Sequence, residues 1–179
     1  MKFPISLTNP VTFADPLPEA ADVVVIGGGI VGVMAAWYLA RAGQKVVLCE
    51  KGRIAGEQSS RNWGWIRQQG RDPAELPIMI ESLRLWQGLA EVIGPGLGFR
   101  QTGVMYLARK AKALAALADW LPIATAHGLD TRMLGRAEIA TLVPNAATWQ
   151  GALWTASDAR AEPFTAVPLL AEGAHRAGV

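Results

Sequence analysis

Residues 23–32 read VVVIGGGIVG, and this stretch decides the fold. The run before the glycines, Asp22–Ile26, is β-branched and ends abruptly, the mark of a short strand buried on both faces. Gly27, Gly29 and Gly32 then stand at the spacing GxGxxG. The first permits a tight turn, the second lets a phosphate approach the backbone, and the third lets helix and strand pack closely. Helix formers over Ile30–Ala42 follow, with Gly43 where a C-terminal cap belongs. A second apolar run, KVVLC at residues 45–49, completes a βαβ unit whose right-handed crossover makes the two strands parallel neighbours. The glycine turn and helix start, Gly27, Gly28, Gly29, Ile30, Val31 and Gly32, offer N–H groups and a positive dipole end to a pyrophosphate. Glu50 closes the second strand where a carboxylate accepts hydrogen bonds from a ribose, with Lys51 beside it. An acid at that place argues against a 2′-phosphate.

The same letters invite a membrane reading, because Val23–Ala40 carries no charge. Consecutive glycines would define a spanning helix poorly, whereas strand, turn and buried helix account for the spacing directly. Upstream, residues 1–21 are rich in proline and lack the unbroken apolar core of a secretory signal, so they read as an irregular leader.

Downstream, residues 51–73 form a loop, and 74–93 has the apolar spacing of a long helix through Ile78, Leu83, Trp86, Leu89 and Ile93. The pattern then changes to that of an antiparallel sheet with helices: a strand over 99–108, a helix over 110–127, a strand at 130–134, a short helix over 136–142 and a strand over 148–156. A last helix over 163–177 has proline in its first turn. The expected organisation is a leader (1–21), a dinucleotide-binding unit with its loop (22–73), part of a substrate domain (74–162) and a helix returning to the first unit (163–179). The fold class is α/β: a Rossmann-type βαβ unit plus the start of a mixed-sheet α+β substrate domain, broken off at a helix that a strand should follow.

Composition narrows the function. Hydrophobic residues at 51% against 18% charged indicate a globular chain. A net charge of +2, with arginines scattered, gives no footprint for nucleic acid. Cys49 is the only cysteine, so no internal disulfide can form and no Cys/His set exists for a metal. A reducing, cytoplasmic setting fits. His127 and His175 fall near helix C-termini, where the dipole explains them, and Cys49, Met79, Trp86 and Met105 read as core. No residue stands out as a catalytic acid, base or nucleophile.

The loop carries the remaining information. SSRNWGWIRQQGRD, residues 59–72, has no period of 2 or 3.6 and places two tryptophans among arginines, glutamines and hydroxyls. GEQSSRNWGWIRQQGRDPAELP at 56–77 resembles the same region of the D-amino acid oxidase family of flavoproteins, which includes glycine oxidase and sarcosine oxidase. The resemblance runs through the chain in order: VVVIGGGIVG, CEKG, the loop, the long helix, TGVMYLA, and ASDARAEP before the last helix. It implies FAD as cofactor, with Ser59 and Ser60 on phosphate or ribityl oxygens and Arg61, Asn62, Trp63 and Gly64 lining the isoalloxazine. Arg67 occupies the place where sarcosine-oxidising relatives hold the substrate carboxylate, a task suited to the planar guanidinium fork. Gln68, Gln69 and Arg71 are weaker candidates.

The implied activity is oxidation of a small amine or amino acid, with hydride passing to the flavin and the imine hydrolysing in water. Family members are longer, and their later half completes the sheet and the site, so the resemblance implies a fragment of a full enzyme. Two alternatives stay open: a nicotinamide-dependent dehydrogenase, and a non-catalytic dinucleotide-binding subunit that pairs with another chain or with itself.

Overall fold

The computed structural model describes residues 4–179, so the first positions of the leader lie outside the described residues. In chain order its elements are β1 (Val23–Ile26), α1 (Ile30–Arg41), β2 (Val46–Cys49), β3 (Trp65–Ile66), α2 (Leu76–Ile93), β4 (Val104–Ala108) and α3 (Ala111–Ala118). They continue with α4 (Leu121–Ala126), β5 (Thr131–Gly135), α5 (Arg136–Leu142), β6 (Gly151–Thr155), β7 (Ala159–Arg160) and α6 (Pro163–Arg176). The class is mixed α/β, and the chain divides into two compact units. One holds the residues up to Trp65 with Leu89–Phe99 and Ala161–Val179; the other holds Ile66–Gly88 and Arg100–Arg160.

In the first unit β1 and β2 pair in parallel, from Val23 opposite Val46 to Ile26 opposite Cys49, as the crossover rule requires. Helix α1 starts directly after Gly29 and packs along α6. The approach is close: a Cβ on Gly173 of α6 would lie 1.7 Å from the ring of Trp37 on α1, which is itself only 4% exposed.

The expected burial of β1 on both faces does not hold. Side chains of a strand alternate between faces, and here the helices cover one face only. Val24 is 59% and Ile26 89% exposed, whereas Val25 lies beneath Gly32 of α1. Cys49, read from sequence as core, stands opposite Ile26 and is exposed for the same reason.

In the second unit β6 lies between β4 and β5, antiparallel to both, with Leu153 opposite Tyr106 on one side and Met133 on the other. Leu134, Ile139 and Ala152 are buried against one side of this sheet, with Met105, Leu107 and Trp154 packed around them. The strand expected from residue 99 begins only at Val104, because Gly103 turns the chain at φ +74° beside the Trp154 indole. The single helix expected over 110–127 is two, with Pro122 in the first turn of the second, where its missing N–H costs nothing. On α2 the buried residues are Leu76, Leu83 and Leu89, while Ile78 is 69% exposed and lies off the inward stripe. Among the described residues no helix is long and apolar enough to cross a membrane, and no group of His, Cys, Asp or Glu could hold a metal ion.

The contact between α1 and α6 leaves no room for a side chain at residue 173. Gly173→Val should destabilise the chain by about 2–3 kcal/mol through overpacking. A shift of the urea unfolding midpoint to lower concentration measures it, and an unmoved midpoint would contradict the packing described.

Candidate functional site

Three bonds converge on the glycine turn, and all come from the residues that follow β2. The Gly28 N–H donates to Glu50 Oε2 at 2.7 Å, while Glu50 Oε1 accepts the N–H of Gly52, also at 2.7 Å. The Gly28 carbonyl accepts the Ala55 N–H at 2.9 Å. The Ile30 N–H, one of the free donors of the helix start, donates to Ser59 Oγ at 2.9 Å. Ala55 sits in the left-handed region at φ 60° and is 1% exposed, so the loop holds a strained alanine to deliver that bond. Sequence reasoning assigned Glu50 and Ser59 to ligand contacts alone. The structure gives both a second task, fixing the turn before any ligand arrives.

The glycines differ in what they require. A Cβ at Gly32 would lie 1.9 Å from the Gly27 carbonyl oxygen, so glycine there is demanded by helix and strand. Gly29 has φ −78° and ψ 176°, ordinary extended backbone, and an added Cβ would meet only Ser59 Oγ, at 3.0 Å. Nothing in the protein fold beyond that one oxygen calls for glycine at residue 29. Beside the turn, a cleft of ≈ 410 Å³ is lined by Glu50, Gly52, Arg53 and Ile54, with Val33 and Leu48 among its apolar walls.

The rest of the loop in the first unit is shaped mainly by its own polar side chains. Ser60 is buried and its hydroxyl points to the Glu57 carbonyl at 3.5 Å. Arg61 pairs with Glu57 at 3.0 Å and donates to the Gly56 carbonyl. Asn62 donates to the Gln58 carbonyl at 3.1 Å and accepts the Gly64 N–H at 2.8 Å. Gly64, at φ +71°, passes so close to the Ala161 carbonyl that a Cβ would lie 2.0 Å away. Trp63 and Trp65 meet edge to face at 5.6 Å and are 83% and 47% exposed, an apolar pair held at the surface. Val31 is 80% exposed and Lys51 is exposed too. The structure thus brings Gly28, Ile30, Glu50 and Ser59 together and leaves Val31, Lys51 and Trp63 outward.

Arg67 belongs to the second unit. Half-buried, it donates to the Gln69 carbonyl and lies over the Tyr106 ring, 5.9 Å from its centroid. Gln68 and Gln69 are buried against Asp158, which is fully buried and which sequence reading passed over. Its oxygens accept the Gln68 N–H at 2.7 Å and the Gln69 N–H at 3.1 Å. Two donors on this loop, Gln69 Nε2 and Arg71 Nε, are buried without a partner among the described residues. Burial pushes the Asp158 carboxyl above the ordinary range; the Gln68 and Gln69 amides and the Gln68 side chain pull it down, and the negative Asp130 nearby adds to the rise. The histidines lie where helix ends explain them: His127 Nδ1 meets the Ile123 carbonyl at 3.0 Å, and His175 pairs with Asp15 at 3.2 Å.

A family model described as FAD dependent oxidoreductase matches residues 22–179. The chain belongs to that family. It is 29% identical to human mitochondrial sarcosine dehydrogenase over 167 residues, which are 91% of this chain and 18% of the relative. It is 28% identical over 166 residues to the mouse mitochondrial pyruvate dehydrogenase phosphatase regulatory subunit, covering 91% of this chain and 19% of that one. The solved L-amino acid deaminase of Proteus myxofaciens superposes with a TM-score of 0.89 at 32% identity, over 97% of this chain and 41% of its own. The chain therefore spans about a fifth of the curated relatives and under half of the solved one.

FAD is the cofactor of this family, which sets aside the nicotinamide alternative. The cradle fits it. Gly29 keeps the backbone bare beside a helix start, where Ser59 Oγ is the nearest protein atom, and the Ser59 hydroxyl, which accepts from Ile30, keeps its own hydrogen to donate.

Gly29→Val should fold, since its backbone angles suit any residue, yet lose FAD. The unfolding midpoint should move little while flavin retained through gel filtration falls at least about tenfold; retained flavin would refute the cradle. A pH series tests Asp158. A carboxyl whose folded pKa is raised favours the folded state below its unfolded value, and that advantage is lost as pH rises towards the folded value. Stability relative to Asp158→Asn should therefore decline as pH rises above about 4. A flat difference in urea unfolding would show that burial does not raise the carboxyl.

Proposed function

We propose that this chain carries the FAD cradle and a carboxylate anchor of an enzyme that oxidises a small amine or amino acid. The observation that carries the reading is the glycine turn already locked by Glu50, Ala55 and Ser59. A turn fixed in advance binds a diphosphate without first losing conformational freedom. On this reading Gly27, Gly28, Gly29, Ile30, Val31 and Gly32 form the wall the pyrophosphate approaches; the Gly27, Gly28 and Ile30 N–H groups being bonded to Cys49, Glu50 and Ser59, the Ser59 hydroxyl and the remaining amides donate to it. Glu50, with Lys51 next to it, takes the ribose, and the cleft beside Glu50 receives the adenine against Val33 and Leu48. Ser60, Arg61, Asn62, Trp63 and Gly64 make up the flavin loop. Its exposed tryptophan pair is apolar surface that a flat aromatic ring would cover.

Bound FAD supplies the two-electron oxidant for the α C–H of an amine. The protein's share is to bind, orient and exclude water. Arg67 is the anchor for a substrate carboxylate: its fork is held from one side by the Gln69 carbonyl and backed by Tyr106. The buried unpartnered donors of Gln69 and Arg71 belong to the same loop and favour an acceptor that the protein does not provide. A reducing, cytoplasmic setting is part of the proposal, in keeping with the lone exposed Cys49.

A second reading has one observation in its favour, the similarity to a relative named as a regulatory subunit. There the cradle would serve stability or pairing with another chain, without turnover. The visible spectrum separates the two. Protein purified with flavin bands that bleach under an amino acid in the absence of air supports the oxidoreductase, and bands that never bleach with any amine or amino acid support the subunit. In a protein that turns over, Arg67→Ala should lower kcat/KM about a hundredfold for substrates bearing a carboxylate and much less for amines without one. Equal losses on both would remove the anchor role.

A further inference from the structure

We propose that Asp158 is the positioning residue of the carboxylate anchor: its carboxylate pins the backbone N–H groups of Gln68 and Gln69, and the carbonyl of the residue so held, Gln69, fixes the Arg67 guanidinium. The inference rests on Arg67 being that anchor and adds what aims it.

Asp158 is fully buried, and two consecutive backbone amides meet its two oxygens, Gln68 N–H on Oδ1 at 2.7 Å and Gln69 N–H on Oδ2 at 3.1 Å. Two amides in a row on one carboxylate hold the backbone on the N-terminal side of the Gln69 carbonyl. The Gln68 side chain adds a third donor, Nε2 to Oδ1 at 3.2 Å. Gln69 is fully buried and tied a second time, its Oε1 accepting from Thr155 Oγ1 at 2.9 Å, with Thr155 bonded to Thr131 at 2.6 Å across the sheet. The loop is thus fastened twice at Gln69, by its N–H to the turn after β6 and by its side chain to β6 itself. The Gln69 carbonyl is what receives Arg67.

A carboxylate is an expensive way to fasten a loop. Burying its charge opposes folding, and a neutral amide or hydroxyl could satisfy one N–H at lower cost. What the carboxylate does better is accept from every direction at once, so no donor of the loop is turned away. The resulting rigidity is of use at a residue whose guanidinium must meet a ligand in one geometry. That Gln69 Nε2 and Arg71 Nε stay buried without acceptors shows a loop with more donors than the protein satisfies. Asp158 holds this donor-rich segment while itself sealed from solvent, so its effect passes through Arg67.

The test uses the FAD-loaded protein and propionate, a carboxylate without an amine, titrated by isothermal calorimetry. Arg67→Ala should weaken propionate at least about tenfold, and Asp158→Asn, which turns an NH₂ group towards one amide, about fivefold. The double variant should bind no more weakly than Arg67→Ala alone, because Asp158 acts only through the arginine. Hydrogen exchange in the chain itself should quicken at the Gln68 and Gln69 amides of Asp158→Asn. If Arg67→Ala weakens propionate and Asp158→Asn does not, the positioning role is overturned and the anchor stands; additive losses overturn it as well. If Arg67→Ala leaves propionate binding intact, the anchor itself is wrong and the inference falls with it. Should Asp158→Asn fail to accumulate, Thr155→Val releases Gln69 Oε1, and the Thr131 hydroxyl with it, while leaving Asp158 on both backbone amides. It should weaken propionate about twofold to fivefold in the wild-type background and not in Arg67→Ala, and any other pattern counts against the proposal.

Discussion

The first unit depends on one constraint: the glycine turn after β1 must be bare of side chains and yet held still. Glycines alone give the bareness and would leave the turn loose. The loop after β2 removes that freedom by bonding to Gly28 at both its N–H and its carbonyl and to Ile30 at its N–H. Those residues are distant in sequence and become neighbours only when β2 pairs with β1. The turn is therefore completed by the crossover itself, and a chain that failed to pair its strands would have no cradle.

Much of this was legible in the letters. The spacing of Gly27, Gly29 and Gly32 between a β-branched run and a helix is a local signal, and the parallel pairing followed from chirality. What escaped was set by tertiary context. Periodicity could not tell that Ile26 and Cys49 lie on an uncovered face, since an apolar run looks the same whether one face or two are packed. Pro122 and Gly103 did announce the broken helix and the shortened strand, by chemistry that a longer-range pattern overrode. Asp158 had no motif to mark it, because its partners are main-chain amides and any residue can supply those.

Two carboxylates, Glu50 and Asp158, do the same kind of work in the two units, and neither works through an opposite charge. Each spans a pair of backbone N–H groups, one at a strand end beside a cleft and the other sealed from solvent. The difference in burial decides what each can still do. Glu50 is half-buried on a cleft wall with one N–H on each oxygen, whereas Asp158 is sealed from solvent and takes three donors from its loop.

The uncovered side of the first sheet has a consequence for association. Val24 and Ile26 stand exposed on one face of β1, and water is released when any apolar layer comes to rest on them.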